Sequence, residues 1–285
     1  MTGPLPLAAT TTAAARSPRP RRTRPRGGDL ALGAASVLVY LFLYLPLVVV
    51  IVYSFSATRV NAWPIKGFTT DWYRELMADT EIHRALRLSV EIGLTAAAVA
   101  VVLGTLTALA LDRYRFRGQP AIRFAVVLPI VLPGIVTGVA MLAFFSLLGW
   151  DLSRWTIAIG HATFCITLVL NNVVGRLGQL PRQLDEASAD LGASPWRTFW
   201  RVTFPLICPA VIAGAILAFT LSFDEVIVTF FLTGREKTLP LLIWGRLRQG
   251  ISPEINAAAT VIVVVSLAGV LLANRLARGA GAPGR

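Results

Sequence analysis

The chain has 285 residues, of which 55% are hydrophobic and only 15% are charged, and its mean hydropathy is +0.66. A soluble domain of this size would carry about 25% charged residues, so the composition is typical of an integral membrane protein. The formal net charge of +12 does not indicate nucleic-acid binding, because the basic residues lie between apolar runs and form no single patch.

The residues that enzymes and metalloproteins need are also missing from the pattern. The sequence has no glycine-rich phosphate-binding loop with its lysine, and no set of nucleophile, base and orienting residue. Cys165 and Cys208 fall in or beside apolar runs far apart in sequence, and the chain has only two histidines. They form neither a disulfide framework nor a metal-ligand cluster. We therefore expect no catalytic residue, no metal and no cofactor.

The first 28 residues are rich in Ala, Thr, Pro and Arg and lack apolar periodicity, which predicts a disordered basic cytoplasmic tail. The apolar run that follows is too long for a signal peptide and has no small-residue cleavage site, so we interpret it as an uncleaved first span. We predict four regions. These are a tail (1–28), a first transmembrane helix with its outer loop (29–84), a core with five further spans (85–275) and a C-terminal tail (276–285).

Six segments are apolar enough to cross a bilayer, whose core of about 30 Å needs about 20 apolar residues per helix. This predicts an all-α integral membrane fold with six transmembrane helices. The segments are 30–55, 88–111, 124–148, 156–174, 206–231 and 256–273.

The positive-inside rule orients these spans, because cytoplasmic loops carry an excess of Lys and Arg. With both termini placed in the cytoplasm, the cytoplasmic segments hold 17 basic residues and the outer segments hold 10. The bias therefore predicts an even number of spans with both termini cytoplasmic.

The third span contains Pro129 and Pro133, each of which removes a hydrogen bond to the carbonyl four residues earlier. Such breaks are tolerated where other groups or water satisfy the backbone, which is typical of helices that line a transport path. The alternative is a kink used for packing, with Gly134 and Gly138 allowing a close helix approach. The two interpretations are not exclusive, and both prolines are candidates for the pathway.

His161 lies about five residues into the fourth span. Ionisable residues inside a membrane are functional candidates, so His161 is a candidate for the pathway. The alternative is a histidine that bonds to a backbone carbonyl within a helix interface.

The segment between the fourth and fifth spans, residues 180–205, is predicted to form two short helices joined at Gly192. Pro181 suits the first position of a helix, and Asp185 and Glu186 lie near the positive end of its dipole. Gly192 can adopt the left-handed conformation that ends such a helix. The apolar edge of the first helix consists of Leu184, Ala187 and Leu191.

Ser194 is a suitable N-cap and Pro195 a suitable first residue for the second helix, which we expect Pro205 to stop. One face of that helix carries Trp196, Phe199, Trp200 and Thr203. The element is either an amphipathic hairpin whose Trp residues lie at headgroup level or a docking element for a soluble partner. These residues alone do not separate the two hypotheses.

The fifth span carries the adjacent carboxylates Asp224 and Glu225. Asp224 lies 18 residues after Leu206, which at 1.5 Å per residue is about 27 Å and therefore near the outer end. A carboxylate there would attract a cation to the outer mouth. The alternative is an interfacial pair that is hydrated or bonded to Arg residues of the 235–248 loop. Because adjacent helical positions point about 100° apart, we expect at most one of the two to face the pathway.

The loop resembles the EAA loop of ABC-importer permeases, a motif that runs Glu-Ala-Ala, three residues, Gly, nine residues, then Ile-x-Leu-Pro. The spacing is kept here, with departures at Ser188, Val202 and Phe204. The resemblance implies a type I ABC-importer permease fold and favours docking of a cytoplasmic ATPase. The residues that the resemblance implies for docking are Glu186, Ala187, Ser188, Gly192 and Pro205.

Four stretches are similar to the spermidine/putrescine (polyamine) group of these permeases: GHATFCITLVLNNVVGR (160–176), LAFTLSFDEVIVTFFLTG (217–234), TLPLLIW (238–244) and SPEINAAATVIVVVS (252–266). The resemblance implies a bacterial cytoplasmic (inner) membrane protein. Its implied partners are two ATPase subunits, a second permease that is a paralogue, and an extracytoplasmic solute-binding protein. ATP hydrolysis would belong to the ATPase, so the chain itself is expected not to be an enzyme.

A polyamine or a related small cationic solute is the substrate that this resemblance implies. One departure weakens that assignment, since relatives often carry an acidic residue directly after the second proline of the third span, where this chain has Gly134. Ferric complexes and thiamine-like cofactors stay open as substrates. Two other classes of protein stay open besides an importer subunit. One is a stand-alone secondary transporter, which needs its own coupling-ion site and usually shows inverted repeats. The other is a structural membrane anchor.

Overall fold

The computed structural model describes residues 27–59, 61–181, 183–248, 250, 253–264 and 267, with side chains from Leu32 onwards. Most of the predicted N-terminal tail, the second half of the predicted sixth span and the C-terminal tail lie outside these residues.

The described residues are helical apart from their connections and one antiparallel bridge between Ser56 and Phe68. The early helices are α1 (Gly27–Tyr53), α2 (Asp71–Ala78), α3 (Thr80–Arg113), α4 (Gln119–Val131), α5 (Gly134–Leu147) and α6 (Arg154–Leu177). The later helices are α7 (Gln183–Asp190), α8 (Pro195–Thr198), a π-helical turn (Phe199–Thr203), α9 (Phe204–Asp224), α10 (Ile227–Leu232), α11 (Leu239–Leu247) and α12 (Pro253–Val264).

Two compact units divide the chain between Val48 and Val49. In the first unit the described residues form most of α1, whose large apolar side chains from Leu32 to Val48 are exposed except for half-buried Leu47. A helix that is apolar on all sides is typical of a membrane span. The second unit contains every other helix.

The core of the second unit is formed by α3, α6 and α9, which pack against one another along their lengths. Small residues allow this close packing. A Cβ atom at Gly104 of α3 would lie 2.9 Å from the Cβ of Val169 in α6, and one at Gly214 of α9 would lie 2.9 Å from the Cα of Val169. Without a hydrophobic driving force between helices in lipid, such close contacts supply the dispersion energy that holds a bundle together.

The predicted third span is not one helix. It consists of α4 and α5, and the chain bends by 109° between them. Pro133 disfavours helical geometry at the residue before it, and Leu132 is extended with φ −69° and ψ 142°. The predicted third span over 124–148 is therefore two helices, and the break lies at Pro133, one of the two prolines at which the sequence predicts a loss of backbone hydrogen bonds.

The predicted fifth span is also interrupted. α9 ends at Asp224, Glu225 is extended, and α10 begins at Ile227. One carboxylate oxygen of Glu225 accepts hydrogen bonds from the backbone N–H groups of Ile227 (2.8 Å) and Val228 (3.0 Å), which starts a new helix. The prediction of one continuous helix over 206–231 is wrong for this local reason.

The two ends of the second unit carry different contacts. At one end, here called the loop end, Arg113 at the last position of α3 contacts Asp185 of α7. At the opposite end, Arg154 at the start of α6 lies 3.5 Å from Glu91 in the first half of α3. The helices α3 and α6 therefore run in the same direction, and the bent pair α4–α5 leads from the loop end back to the opposite end.

Candidate functional site

The loop between α6 and α9 has the predicted helix–glycine–helix form. α7 ends in a Schellman motif, in which Ala193 donates to the carbonyl of Ser188 (3.1 Å) and Gly192 donates to that of Ala189 (2.8 Å). Gly192 has φ +77°, which confirms the predicted left-handed conformation. No other heavy atom lies within 4 Å of a Cβ built on Gly192, so only the backbone conformation selects glycine there.

The two arms of the loop are joined by a side-chain contact. Ser188 of α7 and Thr198 of α8 lie 2.9 Å apart through their hydroxyl oxygens, and Thr198 is buried. Ser194 caps α8 by accepting from the N–H of Arg197, as predicted. Position 188, where the sequence departs from the motif's second alanine, therefore holds the hairpin closed.

An ion pair that sequence reasoning missed anchors the loop to the bundle. Arg113 donates to both carboxylate oxygens of Asp185 at 2.9 Å and to the hydroxyl of Thr203 at 2.7 Å. Arg113 and Asp185 are 72 residues apart, and the positive-inside rule treats Arg113 only as an orienting charge. A planar guanidinium is suited to holding α3, α7 and the π-helical turn in one geometry.

The outer edge of α7 is left uncovered by this anchoring. Glu186 and Ala187 are exposed, and the side chain of Leu191 is 89% exposed. An exposed leucine beside a carboxylate, on a helix held by an ion pair behind it, is a surface on which a partner protein can dock.

The second loop helix does not stop at Pro205, so that prediction is wrong. α8, the π-helical turn and α9 form one continuous helix from Pro195 to Asp224. At the turn the N–H of Phe204 donates to the carbonyl of Phe199, five residues earlier. This wider turn directly precedes Pro205, which lies at the start of α9 where a missing N–H costs little.

The predicted aromatic face is present in the same segment. Trp196 and Trp200 are 71% and 47% exposed, and their rings lie 5.6 Å apart. Phe199 lies 5.1 Å from Trp200 and continues the cluster. Thr203 is buried under the loop, so it does not share this exposed surface.

The adjacent carboxylates at the end of α9 have different surroundings. Asp224 is exposed as the last residue of α9, whereas Glu225 is half-buried and caps α10. Neither forms an ion pair with an arginine among the described residues, so bonding to the 235–248 loop is not observed. The exposed face of α9 that ends at Asp224 consists of Ile212, Ala213, Ile216, Leu217 and Thr220.

His161 is fully enclosed within the chain. Its Nδ1 lies 2.7 Å from the hydroxyl of Ser222 in α9, and its Nε2 lies 2.9 Å from the hydroxyl of Thr229 in α10. Thr229 in turn donates to the carbonyl of Glu225. The prediction that His161 bonds to a backbone carbonyl is therefore wrong, because both ring nitrogens are hydrogen-bonded to side-chain hydroxyls. His161 joins the helices on both sides of the Glu225 break.

The prolines of the third span lie beside a second crossing of helices. Pro129 is inside α4 and Pro133 precedes α5. α5 packs on α10, and a Cβ at Gly138 would lie 2.6 Å from the ring of Phe231, so Gly138 allows the close approach that the packing hypothesis requires. A Cβ at Gly134 would make only ordinary contact with Ile227, at 3.7 Å.

At the opposite end, Arg246 of α11 binds three carboxylates. It donates to Asp79 at 2.6 Å, to Glu81 at 2.9 Å and to Glu254 of α12 at 2.8 Å. Burial raises the pKa of Asp79, but hydrogen bonds from Arg246 and from the N–H groups of Ile82 and Glu81 outweigh it and hold that pKa below its usual range. The cluster ties the start of α3 to α11 and α12.

Within the described part of the chain, no group of three or more His, Cys, Asp or Glu residues is arranged to hold a metal ion.

Comparison with known proteins assigns the family. Residues 100–279 match the family model described as "Binding-protein-dependent transport system inner membrane component". The chain is 41% identical over 220 residues to the putrescine transport system permease protein PotI of Escherichia coli K12, covering 74% of this chain and 78% of PotI. It is 40% identical over 227 residues to the spermidine/putrescine transport system permease protein PotC of the same strain, covering 79% and 85%.

Solved structures agree on the fold. A bacterial alginate ABC transporter, solved with an alginate pentasaccharide-bound periplasmic protein, has a chain with TM-score 0.68 and 18% identity, covering 90% of this chain and 96% of that one. A chain of the inward-facing MetNI methionine ABC transporter has TM-score 0.58 and 15% identity, covering 74% and 99%. The apolar helices make this a multi-pass membrane protein. The chain therefore belongs to the family of binding-protein-dependent transport system inner membrane components.

Proposed function

We propose that this chain is one of two permease subunits of an ABC importer and that its loop over 180–205 binds a cytoplasmic ATPase. The observation that carries the proposal is the geometry of α7. Its exposed edge at Glu186, Ala187 and Leu191 faces away from the bundle, while Asp185 is held from behind by Arg113. A rigidly held edge can transmit the movement of a docked partner to α3 and α9, because both are joined to the loop.

The surface available to a translocation pathway is the exposed face of α9 that ends at Asp224. It is apolar along most of its length and acidic at its end, so it would bring a cation to the mouth without binding it along the way. The breaks at Pro133 and Glu225 lie in the two helices that pack together through α5 and α10. Broken helices in membrane proteins often lie at such pathways, and this supports the proposal for Pro129, Pro133 and Glu225. His161 is a positioning residue in this scheme.

The substrate we propose is a polyamine, putrescine or spermidine, or a related small cationic solute. Support comes from two relatives of about 40% identity, named as a putrescine permease and a spermidine/putrescine permease, and from the exposed carboxylate of Asp224. Gly134 stands where the polyamine group that the sequence resembles often has an acidic residue. Asp224 is then the carboxylate on which cation selection would depend.

The topology we propose has six spans with both termini in the cytoplasm of a bacterial cell. The loop end would then be cytoplasmic. The course of α4–α5 from the loop end to the opposite end supports counting this bent pair as one span, beside the four long apolar helices and α12. A solute-binding protein would dock at the opposite end, and a paralogous permease would complete the pathway. ATP hydrolysis would be performed by the docked ATPase.

The test is reconstitution of the chain with its ATPase, its partner permease and its binding protein in vesicles. We expect ATP-dependent uptake of labelled putrescine or spermidine, and competition by the other polyamine but not by a neutral or anionic solute. Uptake of a neutral solute with the same efficiency would refute the cationic substrate and leave the importer assignment intact. Uptake without ATPase or ATP would refute the importer assignment itself.

A further inference from the structure

An open cleft of about 710 Å³ lies at the loop end, between the C-terminus of α3, the turn over 114–118 and α6. Among the described residues, its charged lining consists of Asp112, Arg115, Arg117 and Arg123, whose formal charges sum to +2. Phe116 adds an apolar surface. One wall is held in place because the side-chain amide of Gln119 donates to the carbonyl of Leu111 at 2.6 Å. The cleft is thus a basic and partly apolar site, and none of its described lining residues belongs to α7.

The three guanidinium groups of the cleft are not used by the fold. Across the described residues, Arg115, Arg117 and Arg123 form no ion pair and no side-chain hydrogen bond, whereas neighbouring Arg113 is paired with Asp185 and bonded to Thr203. Gathering three positive charges without an equal number of negative charges costs free energy through repulsion. An anionic ligand would remove that cost, and guanidinium groups match phosphate oxygens in pairs of hydrogen bonds.

The position of the cleft favours a lipid headgroup over a soluble phosphate as its ligand. It lies where α3 ends at Arg113 and α4 begins at Gln119, which is the level at which spanning helices leave the hydrocarbon for the headgroups. Beside Arg123, Ile122 and Phe124 of α4 are 44% and 67% exposed, and α4 buries none of its residues within the chain. A ligand with a phosphate in the cleft would find an apolar surface for acyl chains along α4.

We propose that this cleft binds the phosphate headgroup of an anionic phospholipid. In the proposed orientation that lipid belongs to the cytoplasmic leaflet, where basic pockets beside spanning helices recognise acidic headgroups. Only the choice of leaflet rests on the proposed topology. Binding itself is independent of substrate and of transport direction.

The experiment measures phosphatidylglycerol and phosphatidylcholine binding to the purified, delipidated importer complex by native mass spectrometry. In the variant Arg115→Gln/Arg117→Gln/Arg123→Gln, we expect phosphatidylglycerol affinity to fall at least about tenfold. Each arginine beside an anionic headgroup contributes roughly fivefold. Phosphatidylcholine binding should be unchanged. The matched control Arg84→Gln/Arg235→Gln/Lys237→Gln removes the same charge from a cleft at the opposite end and should bind phosphatidylglycerol like wild type.

Only variants that still co-purify with the ATPase are compared. The triple arginine-to-lysine variant, which keeps the charge, should retain most of the affinity, and this result would exclude misfolding as the cause. Equal loss in the opposite-end control, or undiminished phosphatidylglycerol binding in the arginine-to-glutamine variant, would overturn the proposal. A separate arm adds glycerol 3-phosphate or inorganic phosphate. Displacement of the lipid by either at equal concentration would show that the site takes a soluble phosphate, contrary to the proposal.

Discussion

At the residue scale, Asp224 and Glu225 illustrate how one residue of difference changes the role of a carboxylate. Asp224 is exposed at the end of α9, whereas the carboxylate of Glu225 is engaged by the N–H groups of Ile227 and Val228. The expectation that at most one of the pair faces the pathway stays a prediction. The geometry favours Asp224, because a carboxylate that already accepts two hydrogen bonds offers less to a passing cation.

We expect Asp224→Asn to lower uptake of a dicationic solute about fivefold, since a unit charge about 4 Å away in water contributes about 1 kcal/mol. Glu225→Gln should lower uptake less, because the amide oxygen can still cap α10. Uptake of labelled substrate into reconstituted vesicles, with ATPase coupling measured in parallel, checks both. Unchanged uptake in the double variant would show that the pair is an interfacial feature. A larger loss for Glu225→Gln than for Asp224→Asn would reverse the assignment.

At the element scale, the loop depends on one backbone conformation and one hydroxyl contact. Gly192 needs positive φ but has open space around it, and Ser188 holds the buried hydroxyl of Thr198. Substitutions at Gly192 and Ser188 therefore test separately the effect of backbone strain and the effect of a lost side-chain hydrogen bond on the same loop.

Gly192→Val should weaken co-purification of the ATPase more than Ser188→Ala does, because a β-branched residue at positive φ costs about 1–3 kcal/mol. Loss of the Ser188 hydroxyl leaves one buried partner unpaired and costs about 1 kcal/mol. Gly192→Asn is the matched control, since asparagine tolerates the left-handed region, and it should behave like wild type. The measurement is ATPase recovery after detergent extraction. If Gly192→Val retains the ATPase and transport fully, the docking role of the loop is wrong.

The junction of α3, α11 and α12 is a second element whose stability should depend on pH. The pKa of Asp79 is lowered by its partners in the folded state, so its carboxylate stabilises the fold at pH values above its ordinary pKa of 3.8. That stabilisation is lost as the pH falls through the lower folded-state pKa. We expect Asp79→Asn, which keeps an oxygen to cap α3, to lower Tm at pH 7 relative to wild type.

The difference in Tm between Asp79→Asn and wild type should shrink as the pH falls from about 4 through the lower folded-state pKa of Asp79, because wild-type folding then requires a carboxylate that the unfolded chain has already protonated. Thermal unfolding of the purified complex in detergent provides the measurement. A difference that stays constant from pH 7 to pH 3 would show that Asp79 acts only as a helix cap. Arg74, whose pairing with Asp71 is highly exposed, supplies the control Arg74→Gln, which should change Tm little at any pH.

At the scale of the whole molecule, α3 connects two clusters of charge. Its 34 residues span about 51 Å, which exceeds the hydrocarbon thickness, so both ends can lie outside it. The Arg113 anchor lies at one end and the Arg246 cluster at the other. Movement of a partner docked on α7 could therefore reach the opposite end through one continuous helix.

Reporter fusions test the proposed orientation of this molecule. A fusion after Arg278 and one in the segment near Lys237 should report opposite sides of the membrane, with the C-terminal fusion cytoplasmic. Six spans require this outcome, because Lys237 follows the fifth span. If both fusions report the same side, the last span does not cross the membrane, and the span count must change.

Local features of the chain are predictable from the sequence because they depend on residues close together along it. Composition and apolar run length are enough to predict a helical membrane protein, and α3 and α6 contain the predicted second and fourth spans. The left-handed Gly192 and the Ser194 cap follow from rules that act over about six residues. The family, too, is indicated by local spacing, since the EAA-like motif lies within a single loop.

Only the tertiary structure determines how these pieces are joined. The Arg113–Asp185 pair joins residues 72 positions apart, and His161 bonds to partners 61 and 68 positions away. Helix periodicity and capping rules act over a few residues, so they do not predict contacts at such separations. The break at Glu225 requires its carboxylate to capture two backbone N–H groups instead of continuing the helix, and an apolar run gives no sign of that competition. Long-range pairing and helix interruption depend on which groups the folded bundle brings together, and hydropathy does not encode this.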